Sequence, residues 1–161
     1  MKRTYLFYGE GRKDRKFIER ISRISQFKHK IGGCSFLFGN SSGGHPSKIL
    51  RECVKYISGR EFDVIICFID LDKLKEECSC CRKGSTKKYW VSEKTKLEDK
   101  YKEYGIKIFW HEDNLEDEIC RVIPRATGKG KSATNQMALS NITKFINSNY
   151  WKRIFLCLRS N

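Results

Sequence analysis

The chain contains 161 residues, a length that suits one compact domain. Lysine and arginine number 33 against 19 acidic residues, and the net charge of +14 favours a polyanionic partner, nucleic acid first, over a merely solvated basic surface. No long uncharged apolar span is present and the first residues lack a signal-peptide core, so we expect a cytoplasmic protein with reduced cysteines and no membrane partner.

The first predicted unit is a strand, a glycine-flanked loop and a helix. Residues Thr4–Tyr8 are aromatic and apolar and predict a buried strand, which ends in Gly9-Glu10-Gly11. From Asp14, a plausible N-cap, apolar residues recur at helical spacing. These residues are Phe17, Ile18, Ile21 and Ile24.

The middle of the chain predicts two further strands. A short strand at Ser35–Phe38 leads through the loop GNSSGGHP to a helix at about 47–58. The segment DVIICFIDLD, residues 63–72, predicts a central strand covered on both faces. Residues 76–85 are expected to be irregular, and residues 87–104 to form a charged, exposed helix.

A fourth strand, Ile106–Trp110, precedes a short helix that Asn114 can cap. A glycine- and lysine-rich mobile loop, PRATGKGKSAT, then leads to a helix at about 135–148 and to WKRIFLCL, an edge strand or a helix end. Alternating strands and helices predict an α/β fold: a Rossmann-like, open, mostly parallel four-stranded sheet with helices on both faces. We expect one domain over 1–161, with its core at about 4–118 and a basic loop, helix and terminal segment over 119–161.

Acidic residues follow three of the four predicted strands. In open parallel sheets, sites lie beyond the carboxyl ends of the strands, so these residues are expected to converge. If the third strand continues to Asp72, then Asp70 and Asp72 face the same side, and a hard divalent ion such as Mg²⁺ would neutralise both. Glu10 lies between two glycines, which would let backbone and substrate approach it closely. The alternatives are that Asp72 caps a helix, that Asp70 pairs with a lysine and that Glu10 is a turn residue at the exit of the strand.

These residues together resemble the Toprim domain shared by topoisomerases, bacterial primases, rRNA maturases and overcoming-lysogenization-defect (OLD) nucleases. The resemblance consists of an apolar strand, the pattern E-G-x-x-D opening a helix, and a later apolar strand ending in D-x-D, over roughly residues 4–118. It is greatest to small stand-alone and OLD-like Toprim nucleases. It implies a parallel α/β sheet, an acidic cluster that binds Mg²⁺ or Mn²⁺, and chemistry on the phosphodiester bonds of RNA or DNA.

The resemblance also implies roles for individual residues. Catalysis would fall to Glu10, Asp70, Asp72 and a late lysine, chosen as Lys131 from the candidates Lys129, Lys131 and Lys152. The implied metal ligands are Glu10, Asp14, Asp70, Asp72 and Glu116, the last within the pair Leu115-Glu116. The residues expected to contact nucleic acid are Arg12, Lys13, Lys73, Lys129 and Lys131. Such a nuclease would suit antiphage or cellular defence, as a homo-oligomer or within a larger complex.

Two other functions remain open. FIDLD also resembles the D-x-D motif of haloacid-dehalogenase phosphatases, although here it follows the third strand rather than the first. A non-catalytic basic nucleic-acid-binding module is the other alternative.

Several further motifs have more than one interpretation. Zinc at Cys78, Cys80 and Cys81 would need a distant fourth ligand such as Cys34, Cys53 or His45. TGKGKS lacks the strand that precedes a phosphate-binding loop. His111 is expected to be a packing residue more often than a catalytic one. For Tyr89, Trp90, Tyr101 and Tyr104, packing is favoured over stacking on bases.

Overall fold

The computed structural model describes residues 2–80 and 89–160. Four strands form one sheet in the order β2-β1-β3-β4, and every neighbouring pair is parallel. The strands are β1 (Arg3–Gly9), β2 (Cys34–Asn40), β3 (Val64–Asp70) and β4 (Ile106–His111). The predicted α/β class and parallel four-stranded sheet are therefore confirmed.

Helices connect the strands and follow the last of them. In the described parts of the chain they are α1 (Arg12–Ser22), α2 (Ser25–Ile31), α3 (Pro46–Ile57), α4 (Leu71–Cys80), α5 (Tyr89–Lys102), α6 (Leu115–Val122), α7 (Lys131–Ser140) and α8 (Asn149–Arg159). Two short 3-10 helices lie at Pro124–Ala126 and Ile142–Phe145. Among residues 2–80 and 89–160, no helix is both long enough and apolar enough to cross a membrane.

Side chains alternate along the strands and fill two hydrophobic clusters, one on each face of the sheet. On β1, Tyr5 and Phe7 enter the first cluster, whereas Leu6 and Tyr8 enter the second. Buried residues of α1, α2, α6, α7 and α8 join the first cluster. Those of α3, α4 and α5 join the second, so helices cover both faces as predicted.

The C-terminal helix α8 is part of the first cluster. Trp151 packs edge-on against Phe27 of α2, with ring centroids 5.3 Å apart, and Phe155 lies 4.9 Å from the same ring. An edge strand over residues 151–158, one of the two alternatives for this segment, is therefore wrong. Residues 150, 151, 154 and 155 are buried at helical spacing, so tertiary packing favours the helix.

Several predicted helix boundaries are wrong, each because packing extends or interrupts a helix. The helix α4 begins directly after Asp70, since Leu71, Leu74 and Cys78 lie on one buried face, and residues 76–80 are helical rather than irregular. The helix α7 begins at Lys131, inside the segment predicted to be a mobile loop, and ends at Ser140. The predicted irregular residues 81–85, including Cys81, lie outside the described residues.

Candidate metal centre

Glu10 lies one residue beyond β1 and is buried, with 9% of its surface exposed. Its Oε2 accepts a hydrogen bond from the backbone N–H of Asp70, 3.2 Å away. Gly9 pairs with Phe68, so the ends of β1 and β3 bring Glu10 and Asp70 to the same edge of the sheet. The expectation that these two acidic residues converge is met in the structure.

Gly9 allows the first turn of α1 to approach the strand. A Cβ atom at this position would lie 2.9 Å from the backbone nitrogen of Arg15 and 3.0 Å from Asp14 Cβ. Gly9 is therefore required for the close approach of α1, a helix of the protein itself, to the end of β1. It places the side chain of Asp14 beside the strand ends.

Asp14 lies in the first turn of α1. It is not the N-cap of that helix, although the sequence predicts it to be. Gly11 is the N-cap, and Asp14 Oδ2 accepts a hydrogen bond from its N–H, 3.1 Å away. Asp14 therefore caps the helix from inside its first turn. Its carboxylate also belongs to a group with Asp70 and His111 in which one ligand atom of each lies within 4.8 Å of the others.

His111 ends β4 and connects the acidic edge to α8. Its ring is fully buried, and its Nδ1 lies 2.7 Å from Asp70 Oδ1, to which an Nδ1–H donates. Its Nε2 lies 3.0 Å from the hydroxyl of Tyr150, a buried residue of α8. Asp70 therefore pairs with a histidine, where a lysine had been the alternative considered.

Asp72 does not share a strand with Asp70, so the argument from strand alternation is wrong. Because α4 begins at Leu71, Asp72 lies in the first turn of that helix. Its Oδ2 accepts a hydrogen bond from Asn114 Nδ2 at 3.3 Å, and its N–H donates to the carbonyl of Asp113 at 2.9 Å. Its Oδ1 is buried and has no hydrogen-bond partner within the described residues.

Glu116 and Asn135 meet where α6 faces α7. Asn135 Nδ2 donates to the carbonyl of Lys131 at 2.9 Å and lies 3.4 Å from Glu116 Oε1. Asn135 Oδ1 is buried, and among residues 2–80 and 89–160 no partner for it is found. Glu116 is close enough for its charge to act on Asp14, so it lies at the margin of the cluster.

The electrostatics of the cluster indicate an excess of negative charge. Burial, with the charges of Asp70 and Asp14, raises the pKa of Glu10 to about 7. Burial likewise raises the pKa of Asp14 to about 6, where Asp70 and Glu116 act in the same direction and the nearby His111 opposes them. Burial is also the largest cause of the raised pKa of Asp72, followed among the raising effects by the charge of Asp70.

His111 supplies part of the balancing charge. Burial lowers its pKa, but the hydrogen bond to Asp70 and the negative charges of Asp70 and Asp14 outweigh burial, so the net shift is upward. A protonated His111 offsets one of the carboxylates. The remaining carboxylates still hold their protons more tightly than they would in water, which is the condition that a bound cation would relieve.

The residues present fit a hard divalent cation. Carboxylate oxygens dominate the donor set, and Mg²⁺ and Mn²⁺ prefer such oxygen ligands. Within the described residues, two buried side-chain oxygens lack a partner, Asp72 Oδ1 and Asn135 Oδ1. The charge of Asp70 acts on Asp72, and Asn135 donates to Glu116. A side-chain oxygen that is buried without a donor is costly, and a cation or its bound water would satisfy it.

Of the predicted basic residues, Lys73 is partly buried and the others are exposed. Lys73 follows Asp72 in α4, and its charge lowers the pKa of Glu10, so it lies near the cluster. Arg12 and Lys13 are exposed in the first turn of α1. Lys129 and Lys131 are exposed at the start of α7, and Lys152 is exposed on α8.

The other motifs have structural explanations where the structure describes them. A 3-10 helix, not a strand, precedes TGKGKS, as expected if this is no phosphate-binding loop. Tyr101 is buried in the second cluster, which agrees with packing, whereas Tyr104 is half exposed. Among the side chains that the structure describes, no cysteine group forms a metal cluster. The predicted zinc site is not tested by this, because Cys81 and the side chain of Cys80 lie outside the described part of the chain.

Three side chains of this site were not predicted as functional. Asn114 was expected only as a helix cap, which it is, through a bond from Asp117 N–H at 2.9 Å. Tyr150 and Asn135 lie in helices after the acidic motifs, with no local pattern that indicates their partners. For His111 the sequence offers one signal, since the residue directly follows the predicted fourth strand, Ile106–Trp110, and so would lie at the same edge as Asp70.

Comparisons with known proteins give little additional information. No protein-family profile matches the chain, and no curated protein matches it either. Among solved structures, the C-terminal region of the Burkholderia pseudomallei OLD protein is similar over 96% of this chain and 81% of that chain, with 16% sequence identity and a TM-score of 0.37. A likeness of this size does not establish a shared family or activity.

Proposed function

We propose that this protein is a metal-dependent nuclease of the Toprim kind that hydrolyses phosphodiester bonds in RNA or DNA with Mg²⁺ or Mn²⁺. The observation that supports the proposal most directly is the convergence of Glu10, Asp14 and Asp70 at the carboxyl edge of a parallel sheet. Asp70 is 60 residues from Glu10 in the sequence, and burial together with the charges of neighbouring carboxylates raises the pKa values of Glu10 and Asp14.

The acidic residues would hold the ion in different ways. Asp14 and Asp70 are nearest to one another and are the first candidates as ligands, while Asp72 and Glu116 lie around them. When bound, such an ion would lower the pKa of a water molecule and neutralise charge on a phosphate oxygen. His111 would fix the orientation of the Asp70 carboxylate, as outer-shell partners of metal ligands commonly do.

Glu10 is suited to move a proton. Its pKa of about 7 in the metal-free protein means that both protonation states are populated at neutral pH. The carboxyl group could take a proton from an attacking water or return one to a leaving oxygen. We assign the late lysine to Lys131, whose exposed side chain could approach a phosphate at the start of α7.

The basic composition supports a polymeric substrate. A net charge of +14 would attract a polyanion and would make binding weaken steeply with salt. A role in defence, alone, as a homo-oligomer or within a larger complex, is proposed from the resemblance in sequence.

The test is hydrolysis by the purified protein with Mg²⁺ or Mn²⁺ on supercoiled plasmid and on single-stranded RNA. Glu10→Gln and Asp70→Asn each should lower the rate by about 100-fold or more, because each removes a charge at the reacting centre. Asp99→Asn, an exposed acidic residue of α5, is the matched control and should cleave as the parent does. Circular dichroism should show all three variants folded.

Two outcomes would overturn the proposal in favour of an alternative. Turnover of 4-nitrophenyl phosphate that survives Glu10→Gln would indicate a phosphatase that uses Asp70. Salt-sensitive binding of nucleic acid without hydrolysis under any divalent metal would indicate a non-catalytic binding module.

A further inference from the structure

We propose that the groove between α1 and α7 binds the sugar-phosphate backbone of a nucleic-acid strand and leads it to the acidic edge of the sheet. The groove has a volume of about 670 Å³. One wall is the exposed face of α1, and the other is formed by polar residues of α7. The inference rests on the proposed function only for the direction in which the strand would run.

The α1 wall is a row of positive charges. Lys13, Lys16, Arg20 and Arg23 line the groove at spacings of three, four and three residues, which places them on one helical face. The opposite face of α1, with Phe17, Ile18 and Ile21, is buried in the core. These cations are therefore not required for packing, and the single acidic residue among them, Glu19, pairs with Arg23.

The α7 wall is polar but uncharged. Ser132, Asn135, Gln136 and Ser140 line it, so it offers hydrogen bonds without neutralising the cations opposite. Asn135 is 8% exposed, and its amide orientation is set by the bond from Nδ2 to the carbonyl of Lys131. Its Oδ1 is buried and has no partner within the described residues.

The groove ends beside the acidic cluster. Asp14 directly follows Lys13 in α1, and Asn135 lies 3.4 Å from Glu116 Oε1. A run of cations that leads to a group of metal-binding carboxylates matches a polyanion whose phosphates contact the cations and, at one end, a divalent ion. The row from position 13 to position 23 is about 15 Å long at 1.5 Å per residue, so its four cations could contact successive phosphates of one strand.

The lining favours the backbone over the bases. Among the described residues, no aromatic side chain lines the groove, so it lacks the platforms on which proteins stack unpaired bases. Leu139 is the one apolar residue among those described that line it, so a bound peptide would meet few hydrophobic side chains. We therefore infer a nucleic-acid occupant, recognised by charge with little dependence on base sequence.

The experiment measures binding apart from cleavage. Fluorescence anisotropy with a labelled 20-nucleotide strand, in EDTA and over a range of salt, compares the parent with the double variant Lys16→Gln/Arg20→Gln. The matched control is Lys55→Gln/Lys102→Gln, which removes the same charge from exposed positions on α3 and α5. Melting temperatures check that both variants fold.

We expect the groove variant to bind at least about tenfold more weakly and its slope of log K against log salt to be shallower by about 1.4, since each lost phosphate contact removes about 0.7 for a single strand. The control should keep most of the affinity. Equal losses in the two double variants, or tighter binding of poly-glutamate than of the oligonucleotide, would overturn the inference. Groove-dependent binding without cleavage by the parent would reject only the nuclease proposal.

Discussion

His111 Nδ1 and Asp70 Oδ1 lie 2.7 Å apart at the carboxyl edge of the sheet, where the two residues are also register partners of β4 and β3. The pair is buried, so water competes little for the bond. One oxygen of Asp70 is occupied by the imidazole, and the ring is in turn held by Tyr150 at 3.0 Å. The orientation of the carboxylate thus depends on a residue of the C-terminal helix.

We predict that His111→Gln weakens Mn²⁺ binding by about 10- to 100-fold, the usual effect of losing an outer-shell partner of a metal ligand. Tyr150→Phe should have a smaller effect, since it removes one hydroxyl and leaves the buried ring in place. Electron paramagnetic resonance of free Mn²⁺ measures both affinities. His29→Gln, at an exposed position of α2, is the control, and an unchanged affinity in His111→Gln would show that Asp70 needs no such support.

Metal affinity should rise with pH through the range 5.5–7.5. Glu10, with a pKa of about 7, and Asp14, with a pKa of about 6, hold protons that a cation must displace. At pH 5.5 binding should therefore release up to two protons, and above about pH 8 the affinity should be constant. Calorimetry of Mn²⁺ binding in buffers of different ionisation enthalpy counts the protons, and a count of zero at pH 5.5 would contradict the prediction.

The metal-free protein should become less stable as pH rises from about 4.5 to 7. The pKa of Glu10 is raised in the folded state to about 7 from the ordinary 4.5, so in this range the folded state binds more protons than the unfolded state does. The free energy of unfolding then falls with pH, by up to about 3 kcal/mol from Glu10. Asp14, Asp72 and His111, whose pKa values are also raised, contribute with the same sign.

Glu10→Gln isolates the contribution of this one carboxyl group. In EDTA at pH 8 the variant should be more stable than the parent by about 1–3 kcal/mol, because a neutral amide replaces a buried charge near Asp70. Urea unfolding at pH 5 and at pH 8 measures the difference. A variant that is less stable than the parent at pH 8 would mean that the carboxylate is already neutralised in the metal-free fold.

The sequence predicts much of this arrangement and misses the rest for identifiable reasons. The proximity of Glu10 and Asp70 could be predicted, because parallel strands that end in acidic residues place those residues at one edge of the sheet. The position of Asp72 could not be predicted. After Asp70 the chain could continue as a strand or begin a helix, and the choice of α4 depends on the burial of Leu71 and Leu74. The contact of Tyr150 with His111 could not be predicted either, because the two residues are 39 positions apart and their contact depends on how α8 packs.

The packing of α8 leads to a last prediction, that the chain unfolds as the single domain proposed from its length. Trp151 is 2% exposed and packs against Phe27 and Phe155, so Trp151→Ala should lower the free energy of unfolding by about 3–5 kcal/mol. Leu156→Ala, on the same helix but 66% exposed, should change it by less than about 0.5 kcal/mol. Urea titrations followed by circular dichroism and by tryptophan fluorescence should give coincident transitions for the parent. Separate transitions would mean that α8 detaches on its own and that the chain does not unfold as one domain.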